Sequence, residues 1–459
     1  MTTSHPHPLV IVGAGPIGLA AAAHARSRGL RAVVLEAGPS AGTAVRDWGH
    51  VRLFSPWAEV VDPVAATLLS ESGWTAPEPA SYPTGRDWAE CYLQPLAEAL
   101  ARSEEVEVRW DHRVVGVSRQ GRDRLVDAGR EQTPYVVRVT TPTGAERLLA
   151  SAVIDASGTW GLPSPLGADG LPAIGEVEHA ERISYGIPDL GEEEVRERYA
   201  GRHVAVAGTG ASAQNVLVAL TALAAQASGT RISWLVRRGR TADTFGGGDA
   251  DQLEARGALG AAAKAAVEGG PVTTVTQFRA AEVASDVAGT MTITDVDGRH
   301  VEGVDEIIVV TGFRPDLSWL GEVRLDLDPV LSAPRQLAPL IDPNVHSCGT
   351  VYPHGAAELA QPDPGFYLAG MKSYGRAPSF LAMTGFEQTR SIAAELAGDH
   401  EAAARVELVL PETGVCGGSG LFDGTPASEE SGSTDGGCCG ATATSAAPEL
   451  ISLGSRTDA

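Results

Sequence analysis

Short, continuous apolar runs alternate along this chain with longer alanine-rich runs. Leu9–Val12, Ala32–Leu35, His203–Ala207 and Arg231–Val236 are mainly apolar, as expected of parallel strands that are buried on both faces. The runs that follow the first and the third of these strands are rich in alanine and favour helix. Strand, helix and strand in this order, found twice, predict an α/β fold with two Rossmann-like dinucleotide-binding domains.

The first predicted helix is preceded by a glycine-rich turn, GAGPIG at residues 13–18. In such a turn Gly13 permits the tight bend, Gly15 lets the backbone approach a pyrophosphate, and Gly18 lets the helix pack closely on the strand. The helix N-terminus favours phosphate, and Glu36, after the next strand, is placed to hydrogen-bond a ribose hydroxyl. An N-terminal unit of this kind indicates an FAD site. The residues expected to bind FAD are Gly13, Gly15, Pro16, Ile17, Gly18, Glu36, Ala37, Val115, Gly158, Gly370 and Met371.

A second glycine-rich turn, GTGASA at residues 208–213, opens the second unit. Its next strand ends not at an acid but at Arg237 and Arg238. Arginine suits the 2′-phosphate of NADP through charge-assisted hydrogen bonds, whereas an acid suits a free 2′-hydroxyl. We therefore expect NADPH rather than NADH; the alternative is that both arginines are only a solvated strand end. The residues expected to bind NADPH are Gly208, Gly210, Ala211, Ser212, Ala213, Arg237, Arg238 and Gly312.

Three more strands run into small-residue turns and suggest how the domains are connected. These are VIDASG at 153–158, IIVVTG at 307–312 and FYLAG at 366–370. The last should bring backbone N–H groups near the flavin ring. We expect a discontinuous FAD domain of residues 1–165 and 335–410, with an NADPH domain of residues 166–334 inserted in it. Residues 411–459 are rich in Gly, Ser, Thr and acids, which predicts a flexible, disordered tail.

Composition narrows the class of partner. The chain has 459 residues and a formal net charge of −23, which argues against nucleic acid and anionic membranes as partners. No apolar run approaches the length of a membrane span, and the first residues lack the pattern of a signal peptide. We expect a cytoplasmic enzyme with a small-molecule substrate, and leave open a homodimer.

The motifs GAGPIG, GTGASA and VTGFRP, in this order and spacing, resemble the flavin-containing monooxygenase superfamily. A closer resemblance covers the chain up to about residue 416. It is to flavin-dependent monooxygenases encoded in bacterial arsenic-resistance gene clusters. The segments that carry it are DWGHVRLFSPW at 47–57, DASGTWG at 155–161, LIDPNVHSCGTV at 340–351, MKSYGRAP at 371–378 and LVLPETGVC at 408–416.

The resemblance implies an FAD- and NADPH-dependent monooxygenase. NADPH would reduce FAD, and a C4a-hydroperoxide formed with oxygen would transfer one oxygen atom to a soft nucleophile. Nitrogen, sulfur and trivalent arsenic are the candidate acceptors, with arsenic resistance as a candidate setting.

One family motif, FxGxxxHxxx(Y/F), is matched only in part by AIGEVEHAERI. Gly175 and His179 fit the spacing, Ala173 and Ile183 replace the two aromatic residues, and Tyr185 lies two residues late. His179 is either the linker histidine of the family or a residue that caps a turn.

No residue identifies itself as the proton donor. Besides His179, the candidates for catalysis are His346, Tyr352 and His354, which share one loop rich in Pro and Gly. They either line the pocket or are ordinary polar residues of a loop.

The cysteines of the tail raise a different function. Cys438 and Cys439 are adjacent and flanked by glycines, and Cys416 precedes them; such thiols suit soft ions such as As(III). They resemble the C-terminal thiols of mercuric reductases. However, the first FAD helix has no CxxxxC and the NADPH domain has no CxxC. The alternatives are a reductase that uses these thiols on metalloids or disulfides, a metalloid carrier or sensor, and a tail with incidental thiols.

Overall fold

The computed structural model describes residues 6–239, 241, 244–246, 251, 253–287, 289–343, 353–378 and 380–408. Its strands are β1 (Leu9–Val12), β2 (Ala32–Leu35), β3 (Val106–Arg109), β4 (Arg113–Arg119), β5 (Tyr135–Thr141), β6 (Gly144–Ala150), β7 (Ala152–Asp155), β8 (Ile183–Tyr185), β9 (His203–Ala207), β10 (Arg231–Val236), β11 (Val272–Thr276), β12 (Ala280–Ser285), β13 (Met291–Asp295), β14 (His300–Val304), β15 (Glu306–Val309) and β16 (Phe366–Leu368).

Helices connect and cover these strands. The α-helices are α1 (Pro16–Ser27), α2 (Thr43–Asp47), α3 (Trp57–Val60), α4 (Pro63–Glu71), α5 (Gly85–Trp88), α6 (Gln94–Ala101), α7 (Glu193–Tyr199), α8 (Ala211–Gln226), α9 (Glu254–Gly269), α10 (Ala338–Ile341), α11 (Ala356–Leu359), α12 (Ala382–Leu396) and α13 (His400–Ala404). A π-helical turn, Ala89–Leu93, joins α5 to α6, and 3₁₀ turns lie at Ala180–Arg182, Ser318–Leu320 and Gly370–Tyr374.

The first parallel sheet has the strand order β16-β7-β1-β2-β3. Alternate residues of β1 enter different cores: Leu9 and Ile11 pack with α1, α4, α6 and α12, while Val10 and Val12 pack with the antiparallel sheet β4-β5-β6. Because both faces are covered, the strand is apolar throughout, as its sequence indicates. Helix α1 has proline in its first turn and is followed by Gly29 with a positive φ of 71°, the usual signals for a helix start and a helix end.

The second parallel sheet repeats this arrangement with the order β11-β10-β9-β15-β8. One face, which includes Val204 and Trp234, packs against α8; the other, which includes Ala205 and Leu235, packs against the antiparallel sheet β12-β13-β14. Two Rossmann-like domains, each a layer of helices, a parallel sheet and a small antiparallel sheet, confirm the predicted α/β fold class.

Part of the segment after β15 packs against the first parallel sheet rather than the second. Leu320 and Val323 are buried in the core that lies between the first parallel sheet and β4-β5-β6. Both residues fall within the range 166–334 predicted for the NADPH domain, yet their side chains pack on the first parallel sheet; the limits of the two domains stay a prediction. A sequence pattern alone cannot tell which of two similar sheets a connecting segment covers.

Within the described ranges no helix is both long and apolar enough to cross a membrane.

Candidate active site between the two dinucleotide turns

The turn after β1 has little room for side chains on its inner side. Gly13 has φ of 99°, and a Cβ there would lie 2.9 Å from the carbonyl oxygen of Ala156. A Cβ on Gly18 would lie 1.9 Å from the carbonyl oxygen of Gly13, whereas a Cβ on Gly15 would meet nothing within 4 Å. The first and last glycines are therefore needed for packing. The middle one leaves open space over the N-terminus of α1, where a pyrophosphate can approach.

The Glu36 carboxylate braces the same turn. It accepts hydrogen bonds from the backbone N–H of Ala14 at 2.7 Å and from that of Gly38 at 2.9 Å. Burial raises the pKa of Glu36, although the hydrogen bonds from these N–H groups oppose the rise. Each oxygen keeps further lone pairs, so Glu36 can hold the turn and still accept a hydrogen bond from a ribose hydroxyl.

The turn after β9 repeats the geometry of the first. Gly208 has φ of 134°, and a Cβ there would lie 2.4 Å from the carbonyl oxygen of Val310; a Cβ on Gly210 would meet nothing within 4 Å. Arg237 and Arg238 follow β10, the strand beside β9. Arg237 is exposed and Arg238 half-buried. Both glycine turns thus leave space above a helix N-terminus, one in each parallel sheet.

Both turns open into one cavity with a volume of about 1430 Å³. This volume exceeds the usual range of about 300–1,000 Å³ for a site that holds one drug-sized ligand, which fits a site for two dinucleotides. Of the residues predicted for the cofactors, the following line it: Gly13, Gly15, Pro16, Ile17, Glu36, Ala37, Val115, Gly158, Gly370, Met371, Gly210, Ala211, Ser212 and Gly312. Those outside the lining are Gly18, Gly208, Ala213, Arg237 and Arg238.

A buried ion pair at the cavity wall was missed by sequence reasoning. Lys372 follows Met371, and its Nζ lies 2.7 Å from Asp155 Oδ2 and donates a hydrogen bond of 2.9 Å to Ser157 Oγ. The side chains of Lys372 and Asp155 are 1% and 0% exposed. Nζ also lies 4.6 Å from the centre of the Trp319 ring. These contacts hold Lys372 in the wall of the cavity, and it is the only buried lysine among the described residues.

An aromatic pair forms another part of the wall. The rings of Trp160 and Phe313 have centroids 4.6 Å apart, and the indole N–H of Trp160 donates a hydrogen bond of 2.8 Å to Asp47 Oδ2. All three residues line the cavity. They come from the segment at 47–57, from DASGTWG and from VTGFRP, so three separate motifs of the sequence meet at one place. Such a pair presents apolar surface to whatever occupies this part of the cavity.

Two histidines predicted as catalytic candidates lie away from the cavity lining. His179 Nδ1 is 2.7 Å from the carbonyl oxygen of Gly175, in a turn whose neighbour Ile174 bridges to β12. This contact fits the second of the two roles that the sequence left open, a residue that caps a turn, and the role of His179 in catalysis stays a prediction. Nearby Tyr185 donates a hydrogen bond of 2.6 Å to Glu176 and so satisfies a buried carboxylate.

His354 lies behind the turn at Gly370. Its Nε2 is 2.8 Å from Gln388 Nε2, and Gln388 Oε1 accepts a hydrogen bond of 2.7 Å from the Gly370 N–H. His354 is not among the lining residues, and its imidazole contacts the wall from behind through Gln388; a part for His354 in catalysis stays a prediction. The other predicted residues of this loop, His346 and Tyr352, and the thiols of Cys416, Cys438 and Cys439 lie outside the described residues, as does the predicted tail at 411–459.

Comparison with solved structures supports the fold. The chain is similar to the bacillithiol disulfide reductase Bdr (YpdA) from Bacillus cereus, with a TM-score of 0.60 and 19% identity over 85% of this chain and 99% of that one. A flavin-containing monooxygenase from Stenotrophomonas maltophilia gives 0.52 and 22% over 85% and 98%. The cadaverine monooxygenase DfoA from Erwinia amylovora, solved with FAD, gives 0.54 and 15% over 93% and 100%.

No curated protein sequence matches this chain at a significant level. A family model does match, over residues 10–347, which is well over half of the chain. The matched range holds both glycine turns, Glu36 and the Trp160–Phe313 pair. The open space over each turn, the brace by Glu36 and the shared cavity fit FAD and a pyridine nucleotide. The chain belongs to the pyridine nucleotide-disulphide oxidoreductase family and is a flavoprotein oxidoreductase.

Proposed function

We propose that this protein is an NADPH-dependent flavoprotein monooxygenase that oxygenates a soft nucleophile, with trivalent arsenic, sulfur and nitrogen as the candidate acceptor atoms. The observation that carries the proposal is the single cavity reached by both Gly15 and Gly210. An NADPH whose pyrophosphate is bound at one turn can then deliver hydride to the flavin of an FAD whose pyrophosphate is bound at the other, without leaving the protein. Placement in an arsenic-resistance setting rests on the sequence resemblance.

The described cavity wall favours oxygen transfer over disulfide reduction. When bound, reduced FAD supplies electrons to dioxygen. The net reaction uses NADPH, a proton, dioxygen and substrate, and yields NADP⁺, water and oxygenated substrate. Cys91, the only cysteine among the described residues, is exposed and lies outside the lining. Trp160 and Phe313 instead provide apolar surface, and Asp47 holds the Trp160 indole in place.

The test of this function is rapid mixing of the NADPH-reduced holoprotein with oxygen. We expect a transient absorbance that belongs to neither oxidised nor reduced flavin and that lasts longer when NADP⁺ is present. With phenylarsenite as the first acceptor tested, oxygen uptake and NADPH oxidation should match the pentavalent product mole for mole. Hydrogen peroxide formed in place of any oxygenated product, with phenylarsenite, a thioether and an amine all tested, would contradict the proposal.

The alternative is an NADPH-dependent reductase that uses the thiols of the tail. It is favoured by Cys438 and Cys439 being adjacent, a pattern suited to soft metal ions. Substitution of both by serine separates the two functions. Turnover that disappears in this variant supports the reductase, whereas coupled oxygen transfer that persists supports the monooxygenase.

The choice of NADPH over NADH is tested at Arg237 and Arg238. We propose that their guanidinium groups bind the 2′-phosphate. Since a hydrogen bond to a charged group contributes about 1.5–3 kcal/mol, replacing each by alanine should raise the KM for NADPH by about 10-fold to 100-fold and leave that for NADH unchanged. The measurement is the rate of anaerobic flavin reduction against coenzyme concentration. Arg138, an exposed arginine on β5, provides the control: its alanine variant should behave as wild type, and equal losses for both coenzymes would contradict the assignment.

A further inference from the structure

Lysine is rare in this chain, and its placement is informative. The sequence holds 35 lysines and arginines, of which only Lys264 and Lys372 are lysines. Lys264 lies on α9, where it is 57% exposed and paired with Glu268. Lys372 is buried in the wall of the cavity. The one lysine that is removed from water therefore stands where the cofactors would bind.

The strand order of the first sheet assigns Lys372 to one end of the bound FAD. Across the edge at which the parallel strands end, β2 leads to Glu36, β1 to the turn at Gly15, β7 to Ser157, and β16 to Lys372. Neighbouring strands are about 4.8 Å apart. With ribose at Glu36 and pyrophosphate at Gly15, a dinucleotide laid along this edge reaches β7 and β16 with its flavin end.

The ammonium of Lys372 contacts two residues of the cavity lining, Ser157 and Trp319. Lys372 is among the lining residues, whereas Asp155 is not. Asp155 is held in turn by the N–H and the hydroxyl of Ser157, at 3.1 Å and 2.6 Å. The other nearby acid, Asp316, is exposed, so water screens its charge. A buried ammonium is screened much less, and its field acts on whatever occupies this end of the cavity.

We propose that Lys372 is the cationic group that stabilises the reduced flavin, with Asp155 and Ser157 as the residues that position its ammonium. This inference rests on the FAD site of the proposed function. Hydride transfer from NADPH adds two electrons and one proton to the neutral ring, so the reduced ring is an anion unless it takes up a second proton from solvent. A fixed positive charge favours that anion over the neutral ring and so raises the reduction potential.

The test is the reduction potential of bound FAD in the holoprotein, measured by equilibration with a reference dye. Lys372→Met should lower the potential because it makes the binding of reduced FAD, relative to oxidised FAD, about tenfold weaker, which is about 30 mV for two electrons. Lys372→Arg should keep most of the wild-type potential. Lys264→Met, the matched control, should leave the potential unchanged because its charge is exposed and screened.

Lys372→Met leaves Asp155 buried without its partner and can unfold the protein. The double variant Lys372→Met with Asp155→Asn removes both charges and should fold; it should also lower the potential. An unchanged potential in the double variant would overturn the role of Lys372 while leaving FAD binding intact. Equal weakening of oxidised and reduced FAD would overturn it too, since that result indicates a contact with pyrophosphate. A wild-type protein that binds no FAD would instead refute the proposed function itself.

Discussion

Replacing Gly15 with alanine is expected to leave the protein folded but to lower its affinity for FAD by about a hundredfold, or about 2.8 kcal/mol of binding free energy. The backbone at Gly15 has φ of −80° and ψ of −173°, an extended conformation that alanine adopts without strain. An added methyl group meets no protein atom within 4 Å and projects into the cavity. It therefore occupies the space that the pyrophosphate needs.

Two further glycines separate this effect from a loss of fold. Gly18→Ala places its methyl carbon 1.9 Å from the carbonyl oxygen of Gly13, so it should lower the thermal stability of the apoprotein as well as FAD affinity. Gly269→Ala, at the end of α9, meets nothing within 4 Å and should change neither. FAD titration of the apoprotein, followed by flavin fluorescence, measures affinity. A folded Gly15→Ala variant with wild-type affinity would refute the placement of the pyrophosphate.

Local signals were enough to predict the backbone of the site. Each glycine turn lies with the strand before it in one short β-α-β unit, and Glu36 belongs to the first of these units, where spacing along the sequence translates directly into distance. The turns at Gly158 and Gly370 were also found, because each follows an apolar strand of the same sheet. Gly13, Gly15, Glu36, Gly158 and Gly370 line the cavity. Their part in binding FAD stays a prediction that the Gly15 experiment tests.

Side-chain partners that are distant in sequence could not be predicted in the same way. Ser157 and Lys372 are 215 residues apart, and Asp47 and Trp160 are 113 apart; no periodicity connects such pairs. The scarcity of lysine could have indicated Lys372. The sequence has only two lysines, and one of them lies within MKSYGRAP, a segment that carries the family resemblance. No comparable signal separated His354, which supports the wall from behind, from a histidine that faces a cavity.

Asp363→Asn is expected to lower the free energy of unfolding by about 3–5 kcal/mol, because it removes one partner of a buried ion pair. Arg130 Nε and one of its terminal nitrogens donate to the two carboxylate oxygens at 2.7 Å and 2.6 Å, and the backbone N–H of Arg324 donates at 2.8 Å. Both side chains of the pair are 2% exposed. Asp363 stands just before β16, so this pair anchors the strand that leads to Gly370 and Lys372.

The loss should also depend on pH. Burial by itself raises the pKa of Asp363, but the hydrogen bonds from Arg130 and from the Arg324 N–H outweigh it and hold the pKa below the ordinary value of 3.8. A lowered folded-state pKa means that the carboxylate stabilises the fold above the unfolded-state pKa and ceases to do so as pH falls through the folded-state pKa. The difference between wild type and Asp363→Asn should therefore be largest near neutral pH and shrink below about pH 4.

Asp297→Asn is the matched control, since Asp297 and Arg279 form an ion pair of 3.0 Å in which both side chains are about half exposed. Exposed pairs contribute about 0–1 kcal/mol, so this variant should unfold at nearly the same urea concentration as wild type at every pH. If the two asparagine variants lost equal stability, burial would not be the cause. If only Asp363→Asn unfolded early and also lost FAD, the Arg130–Asp363 pair would be what holds β16, and with it Gly370 and Lys372, against the cofactor cavity.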